Sequence, residues 1–152
     1  MIVGFDIKNT TDRAGYFHVQ FRTPPNNWVF NSVTDLRFEV KPDGSIYFGQ
    51  THGDTGLKIS TTEFTSIIIK CTYTEAEGKT TLTNELWVNG QYVAASSVTK
   101  DGTGFDWTDG VNGGAQICIQ NKVGANTVII DNLYTAPVIG NGTDITTYLT
   151  AK

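Results

Sequence analysis

The sequence predicts an all-β fold, a two-sheet antiparallel β-sandwich built as one domain over residues 1–152. Three observations support this prediction. Short runs alternate apolar and polar residues, which is the pattern of a strand with one buried face. Turn residues separate the runs, and Asn89-Gly90 is the strongest short hairpin signal among them. The chain is 39% hydrophobic and 17% charged, a composition typical of a globular domain of this length.

The predicted strands follow one another along the whole chain. In order they are IVGFDIKN, GYFHVQFR, DLRFEVK, SIYFGQ, GLKIS, FTSIIIKCTYT, TTLTNELWVN, QYVAASSV, AQICIQNK, NTVIIDNLYT and, within the tail 138–152, DITTYLT. No convincing helix and no repeat of fixed period is present, which excludes propellers and solenoids. Because strands joined by hairpins must each bury one face, the expected solution is a pair of packed sheets, a sandwich or jelly roll.

Besides Asn89-Gly90, three connections between these runs are expected to be hairpins. The first two runs are joined through TTDRAG, the third and fourth through Pro42-Asp43-Gly44, and the last pair before the tail around Gly124-Ala125-Asn126. In the Pro42-Asp43-Gly44 turn, glycine supplies the positive φ that other residues avoid.

Composition excludes several classes of partner. The formal net charge is −4 and the sequence pI is about 5.0. No basic stripe is available to bind nucleic acid or an anionic membrane surface. No run is long and apolar enough for membrane insertion. The first residues lack the pattern of a signal peptide, so either the protein is made without export or a longer exported parent was cut.

The two cysteines, Cys71 and Cys118, do not form a disulfide framework. They have no C-x-x-C spacing and no nearby histidine, which disfavours zinc. We expect them to be buried as small apolar residues, and the alternative is a bridge between neighbouring strands. Asn9-Thr10-Thr11 and Asn141-Gly142-Thr143 fit the glycosylation pattern, which often arises by chance.

Three segments carry a family resemblance. FEVKPDGSIYF, FTSIIIKCTYTEAEGKTTLTNELWVNGQYV and VIIDNLYTAP, which lie within residues 1–137, resemble the concanavalin A-like lectin and laminin-G-like jelly rolls. The resemblance implies a jelly-roll sandwich, and among its functions a non-catalytic, lectin-like carbohydrate-binding module. This fold also hosts glycosidases, adhesion domains and virion components, so function must be argued from a site.

The chain departs from that family in two ways. Its glycoside hydrolases carry closely spaced Glu, Asp and Glu on one strand face. Here glutamate occurs only at positions 39, 63, 75, 77 and 85, and Glu75 and Glu77 lie in a predicted turn without an intervening aspartate. No G-x-S-x-G elbow exists, and neither His18 nor His52 has an evident nucleophile, so we predict no enzymatic activity. Such domains also usually begin with an outer strand that pairs near the closing one. Here the chain opens directly on IVGFDIK, which leaves that place to the tail strand or to another subunit.

Trp87 is the main candidate for ligand binding. If Leu86 and Val88 face the interior, then Glu85, Trp87 and Asn89 share the outer face of the sheet. A pyranose has an apolar C–H face that stacks on an aromatic ring and hydroxyls that bind Asn, Asp or Gln. The alternative is that a loop or the tail covers Trp87 and extends the core.

The other candidate binding residues lie in loops and on one more strand. Trp107 occurs in DGTGFDWTDGVNGG together with Asp106 and Asp109, and loops of that length are often functional. The alternative for Trp107 is to plug one end of the sandwich. Trp28 follows TPPNN, a position that favours a structural anchor, and Tyr47 is a further ring for stacking.

Calcium is the one metal considered, because oxygen ligands are abundant in the loops. The resemblance implies a structural ion at Asp131, in IIDNLY, together with an acidic residue near the start of the chain, Asp6. The alternative for Asp131 is a hydrogen bond from neighbouring backbone amides. No cofactor is required.

The leading hypothesis is a carbohydrate-binding module that acts as an extracellular or cell-surface domain and whose partner is a polysaccharide or glycan. Its predicted binding residues are Trp87, Trp107, Tyr47, Trp28, Asp106, Asp109 and Asn89. The alternative is a structural virion or cell-surface assembly protein, a capsid decoration or fibre domain that forms homo-oligomers or larger assemblies. The absent export signal, the missing first strand and the tail favour that alternative, since an exposed strand edge is a docking site for another chain.

Overall fold

The computed structural model describes residues 2–9, 17–22, 37–51, 53–101, 116–121 and 128–136, which form ten strands and, within those ranges, no helix. The strands are β1 Ile2–Asn9, β2 Phe17–Arg22, β3 Arg37–Val40, β4 Ser45–Gly49, β5 Gly53–Lys58, β6 Thr65–Ala76, β7 Lys79–Val88, β8 Gln91–Asp101, β9 Gln116–Asn121 and β10 Val128–Ala136. The predicted all-β class is therefore confirmed. In this part of the chain no helix suited to crossing a bilayer is found.

The ten strands form two five-stranded sheets in which all neighbours are antiparallel. Sheet A has the order β10-β1-β6-β7-β8, and sheet B has the order β5-β4-β3-β2-β9. Alternate residues of both sheets pack into one shared apolar core, where the rings of Phe5 from sheet A and Phe38 from sheet B meet edge to face at 5.9 Å. This is the predicted pair of packed antiparallel sheets.

Left-handed backbone conformations fix three tight turns. In Pro42-Asp43-Gly44, Gly44 has φ +84° and its N–H donates to the carbonyl of Lys41 at 2.8 Å, as the predicted turn requires. Two-residue turns join β6 to β7 through Glu77-Gly78 and β7 to β8 through Asn89-Gly90, and all four residues have positive φ. Such turns match the right-handed twist of the strands that they join.

The Pro42-Asp43-Gly44 turn also carries a surface ion pair. Lys58 Nζ lies 2.8 Å from Asp43 Oδ2, and the Ser45 hydroxyl donates to the same oxygen at 2.7 Å. The hydrogen bond from Lys58, followed by those from Ser45, holds the pKa of the Asp43 carboxyl well below its usual range, and the same pairing raises the pKa of Lys58. The pair is exposed, so its contribution to stability is small.

Two of the predicted hairpins are wrong. β1 pairs with β10 and β6 in sheet A, whereas β2 pairs with β3 and β9 in sheet B. β9 and β10 likewise belong to different sheets. Alternation shows which residues of a strand face the core, but it does not show in which sheet the strand lies. Because the two strands of each predicted pair lie in different sheets, neither pair is a hairpin.

β1 pairs with the closing strand β10 in sheet A. Ile2 is in register with Ala136 and Gly4 with Tyr134, so β1 itself occupies the place beside the closing strand. The expectation that the tail strand or another subunit supplies a further outer strand remains a prediction. The tail strand DITTYLT lies outside the described residues.

Cys71 is a buried thiol on the core face of β6 and not half of a disulfide, which agrees with the favoured prediction. Burial raises the pKa of this thiol to about 12. Cys118 lies on β9, and its side chain is outside the described part of the structure.

Asn9 is unsuited to glycosylation because only 2% of its surface is exposed. Its backbone N–H donates to the carbonyl of Ser60 at 3.0 Å, which holds the end of β1 against the loop before β6. Asn141, in the second triplet, lies outside the described residues.

Candidate functional site

Trp87 lies on the outer face of sheet A. Its neighbours Leu86 and Val88 are buried in the core between the sheets, so alternation turns the indole away from that core. The ring is half-buried and packs against a second apolar cluster formed by Ile2 and Ile68. One side of Trp87 is thus fixed by packing, which corresponds in part to the alternative that it extends the core.

Tyr92 is the aromatic residue that the sequence analysis missed. It is the register partner of Trp87 across the β7–β8 hairpin, and the two rings meet edge to face with centroids 5.5 Å apart and an interplanar angle of 74°. Tyr92 is 57% exposed. The signal was available, because a two-residue turn at Asn89-Gly90 places positions 87 and 92 opposite each other.

The aromatic pair is one end of a longer surface, which we call the β7–β8 strip. It consists of four cross-strand pairs on the outer face of sheet A: Trp87–Tyr92, Glu85–Ala95, Thr83–Ser97 and Thr81–Thr99. A bulge between Leu86 and Trp87 shifts the register so that Tyr92 and Ala95 both fall on this face, with two residues between them.

Hydroxyl groups form the other end of the strip. The hydroxyls of Thr83 and Ser97 lie 2.7 Å apart, and those of Thr81 and Thr99 lie 2.8 Å apart. Ser97 and Thr99 are exposed, while Thr81 and Thr83 are half-buried. Hydrogen bonds between cross-strand hydroxyls hold these side chains in fixed positions at the surface.

Near the centre of the strip, one lysine and one glutamate form an ion pair. Lys70 Nζ on β6 lies 3.1 Å from Glu85 Oε2 on the strip, and the two residues are register partners. Ala95, on the other side of Glu85, is small and exposed. The strip therefore offers aromatic surface and hydroxyls around a neutralised ion pair.

Asn89 serves the turn beside the strip. Its Oδ1 accepts a hydrogen bond from the backbone N–H of Ser66 at 2.9 Å, and its own N–H donates to the Ser66 carbonyl at 2.8 Å. These bonds extend the ladder between β6 and β7 past the last paired residues. The side-chain oxygen that the sequence analysis assigned to a ligand is thus engaged within the fold.

Tyr47 lies on the opposite side of the molecule from Trp87. Its neighbours Ile46 and Phe48 are core residues of sheet B, so Tyr47 faces outward from that sheet. Lys41 Nζ lies 4.9 Å from the centre of its ring. Tyr47 and Trp87 are brought to two different outer faces and do not form one surface.

Beside Tyr47 lies a buried ionic group that was not predicted. Glu39, the register partner of Tyr47, is only 1% exposed although it lies on the outer face of sheet B. Its two carboxylate oxygens each contact one cation, Arg37 Nη2 at 2.5 Å and Lys41 Nζ at 2.5 Å. The group is covered, which disfavours a role in binding.

Four of the predicted binding residues, Trp28, Asp106, Trp107 and Asp109, lie outside the described residues.

Asp6 and Asp131, the predicted calcium ligands, are register partners on β1 and β10. Asn132 connects them: its side-chain amide donates to Asp6 Oδ2 at 2.7 Å, and its backbone N–H donates to Asp131 Oδ1 at 2.8 Å. The second bond is the alternative that the sequence left open for Asp131. Among the described residues no group of three or more His, Cys, Asp or Glu side chains comes together, so the calcium ion remains a prediction.

A cleft of about 340 Å³ opens between the edge strands β5 and β8. Phe48, Val93 and Ala94 provide its apolar wall, while Thr51, Asp54 and Ser96 are polar. The Ser96 hydroxyl accepts a hydrogen bond from the backbone N–H of Gln50 at 3.0 Å, which ties β8 to the β4–β5 connection. The cleft contains no paired aromatic rings, which distinguishes it from the β7–β8 strip.

Comparisons with protein-family models, with curated proteins and with solved structures found no match to this chain.

Proposed function

We propose that this protein is a non-catalytic, lectin-like carbohydrate-binding module and that the β7–β8 strip is its glycan-binding surface. The observation that carries the proposal is the Trp87–Tyr92 pair, two aromatic rings in edge-to-face contact on the outer face of a sheet, one of them 57% exposed. An aromatic side chain that is held in place and reaches solvent is what the apolar face of a pyranose requires.

Packing makes this pair suitable for stacking. The cluster of Ile2 and Ile68 fixes the position of Trp87, so little conformational entropy is lost there when a ligand binds. The polar neighbours are the hydroxyls of the strip and the Lys70–Glu85 pair, which can exchange hydrogen bonds with sugar hydroxyls. Binding by such a surface needs no metal ion or other cofactor.

The proposal includes a fold type and a location. We propose a concanavalin A-like jelly roll. Two five-stranded antiparallel sheets support this proposal, because consecutive strands of the chain repeatedly belong to different sheets. A polysaccharide partner would place the domain outside the cell or on its surface, as part of a longer exported protein.

Affinity gel electrophoresis tests the proposal. Wild-type protein is run in gels that contain soluble xylan, glucomannan or mixed-linkage β-glucan, and we expect at least one polymer to retard it. Trp87→Ala and Tyr92→Ala should reduce this retardation, with an increase in Kd of about tenfold or more if each ring contributes over 1.4 kcal/mol.

Two aromatic variants serve as controls for that experiment. Tyr47→Ala removes a ring from the outer face of sheet B, and Tyr73→Ala removes an exposed ring whose register partner, Leu82, belongs to the core. Both should bind like the wild type. Retardation by none of the polymers, or equal losses in all four variants, would refute the assignment to the β7–β8 strip.

A second candidate function, subunit of a virion or cell-surface assembly, is favoured by one observation. β10 is one of the two edge strands of sheet A among the described residues, and its Ile129 and Leu133 are exposed, the latter by 53%. Apolar side chains on a strand edge are suited to contact with a second copy of the chain. Size-exclusion chromatography with light scattering would show a dimer or larger ring that Leu133→Lys dissociates, whereas a wild-type monomer would count against assembly.

A further inference from the structure

We infer that the β7–β8 strip binds an extended, uncharged polysaccharide along its whole length, so that the ligand is a chain of several sugars and not a single terminal sugar at Trp87. This inference rests on the proposed function and adds to it the size and the charge of the ligand.

The length of the strip is the first argument. Trp87 and Thr81 are six residues apart on β7, which at about 3.3 Å per residue separates them by about 20 Å. One pyranose stacked on the Trp87–Tyr92 pair would cover only the first part of that distance. The remaining pairs continue on the same face of the same two strands, so a ligand that follows the strand direction contacts all of them.

The hydroxyl pairs at the far end are the second argument. A hydroxyl has one donor hydrogen and two acceptor lone pairs. In each pair, Thr83–Ser97 and Thr81–Thr99, the contact between the two oxygens uses one hydrogen and one lone pair. Each pair therefore retains one donor and several acceptors, which is the combination that the hydroxyls of a sugar can both accept from and donate to.

Charge is the third argument. Among the described residues, two lysines lie beside the four pairs, and each is paired with a carboxylate: Lys70 with Glu85 at 3.1 Å, and Lys79, beyond Thr81, with Asp101 at 3.9 Å. A uronate or sulfate group would bring negative charge to a protein of net charge −4 and would have to compete with these carboxylates for a cation. Aromatic and hydroxyl groups suit a neutral chain of hexoses or pentoses.

Isothermal titration calorimetry with oligosaccharides of increasing length tests the inference. The probes are the disaccharide and hexasaccharide of β-1,4-linked xylose, glucose and mannose, with hexagalacturonate as the anionic probe. We expect the preferred neutral hexasaccharide to bind about tenfold or more tightly than its disaccharide, the gain from one or two additional hydrogen bonds of ordinary strength.

A double variant removes the far end of the strip while keeping its shape. Thr81→Val/Thr83→Val deletes two hydroxyls with side chains that are equally compatible with a strand. It should weaken hexasaccharide binding about tenfold and leave disaccharide binding unchanged. The matched control, Thr61→Val/Thr135→Val, changes two exposed threonines outside the strip and should behave like the wild type.

The outcomes separate the inference from the proposed function. If the hexasaccharide and disaccharide bind equally, if the strip variant behaves like its control, or if hexagalacturonate binds best, the inference is wrong while glycan binding at Trp87 stands. If neither wild-type binding nor an effect of Trp87→Ala is seen with any probe, the proposed function fails and the inference falls with it.

Discussion

The ring of Tyr134 on β10 lies directly over the α-carbon of Gly4, its register partner on β1. A β-carbon at position 4 would overlap Cζ, Cε1 and Oη of that ring. The absence of a side chain at position 4 therefore leaves room for the ring of Tyr134, which packs against the cluster that supports Trp87.

Gly4→Ala is expected to destabilise the protein by about 1–3 kcal/mol, because the added methyl group forces the Tyr134 ring from its position. Urea unfolding monitored by circular dichroism measures the loss. Gly53→Ala is the matched control, since a β-carbon there meets no atom closer than 3.8 Å. Equal stability of the two variants would mean that the ring moves aside without cost.

Glu39→Gln should cost about 3–5 kcal/mol of unfolding free energy, since it leaves Arg37 and Lys41 beside a neutral group in a buried position. Lys79→Gln breaks an exposed ion pair with Asp101 and should change stability by no more than about 0.5 kcal/mol. Chemical denaturation of both variants gives the comparison. If Glu39→Gln lowers the unfolding free energy by no more than Lys79→Gln does, the carboxylate of Glu39 is hydrated in the folded protein.

Substitution of Asn89 separates backbone conformation from side-chain bonding. Asn89→Ala loses the bond to Ser66 and replaces asparagine, which tolerates the left-handed conformation, by alanine at φ +49°, with an expected cost of about 2 kcal/mol. Asn89→Gly keeps the conformation and should cost about half as much. Thermal unfolding of the two variants tests this order, and equal losses would mean that the side-chain bond is the only contribution.

Stability should fall at alkaline pH because of Cys71. Its pKa in the folded protein is raised to about 12 by burial, whereas the thiol of the unfolded chain ionises near the ordinary pKa of about 8.5. Between these values the unfolded state binds fewer protons, so the unfolding free energy decreases by up to about 1.4 kcal/mol per pH unit. Urea unfolding from pH 8 to 11 measures the slope, and Cys71→Ala should show a shallower slope.

Local patterns were sufficient to predict most strands and two of the tight turns, Pro42-Asp43-Gly44 and Asn89-Gly90. β1 coincides with the predicted run, and the Asn89-Gly90 turn joins β7 to β8 as expected. The errors concern partners at a distance, since alternation and turn residues describe a strand and its immediate connection only. β2 and β10 were paired with their neighbours in sequence, while the structure places each in the sheet opposite to that neighbour.

The candidate site was predicted in part for the same reason. The outward direction of Trp87 follows from its buried neighbours Leu86 and Val88, which are adjacent in sequence. The exposed partner Tyr92 depends on the cross-strand register, which the two-residue turn at Asn89-Gly90 sets but which the sequence analysis did not follow to position 92. Burial of Glu39 was not predictable by alternation, which assigns it to an outer face and gives no information about what covers that face.

The arrangement of sheet A has a consequence for biosynthesis. β6, β7 and β8 are consecutive and joined by two-residue turns, so they can pair as hairpins as soon as they leave the ribosome. β1 must wait for β6, which starts 56 residues after β1 ends (65 − 9), a delay of roughly 3–11 s at about 5–20 residues per second. During that interval the nascent chain exposes Val3, Phe5 and Ile7, and a chaperone that shields this segment would favour correct assembly.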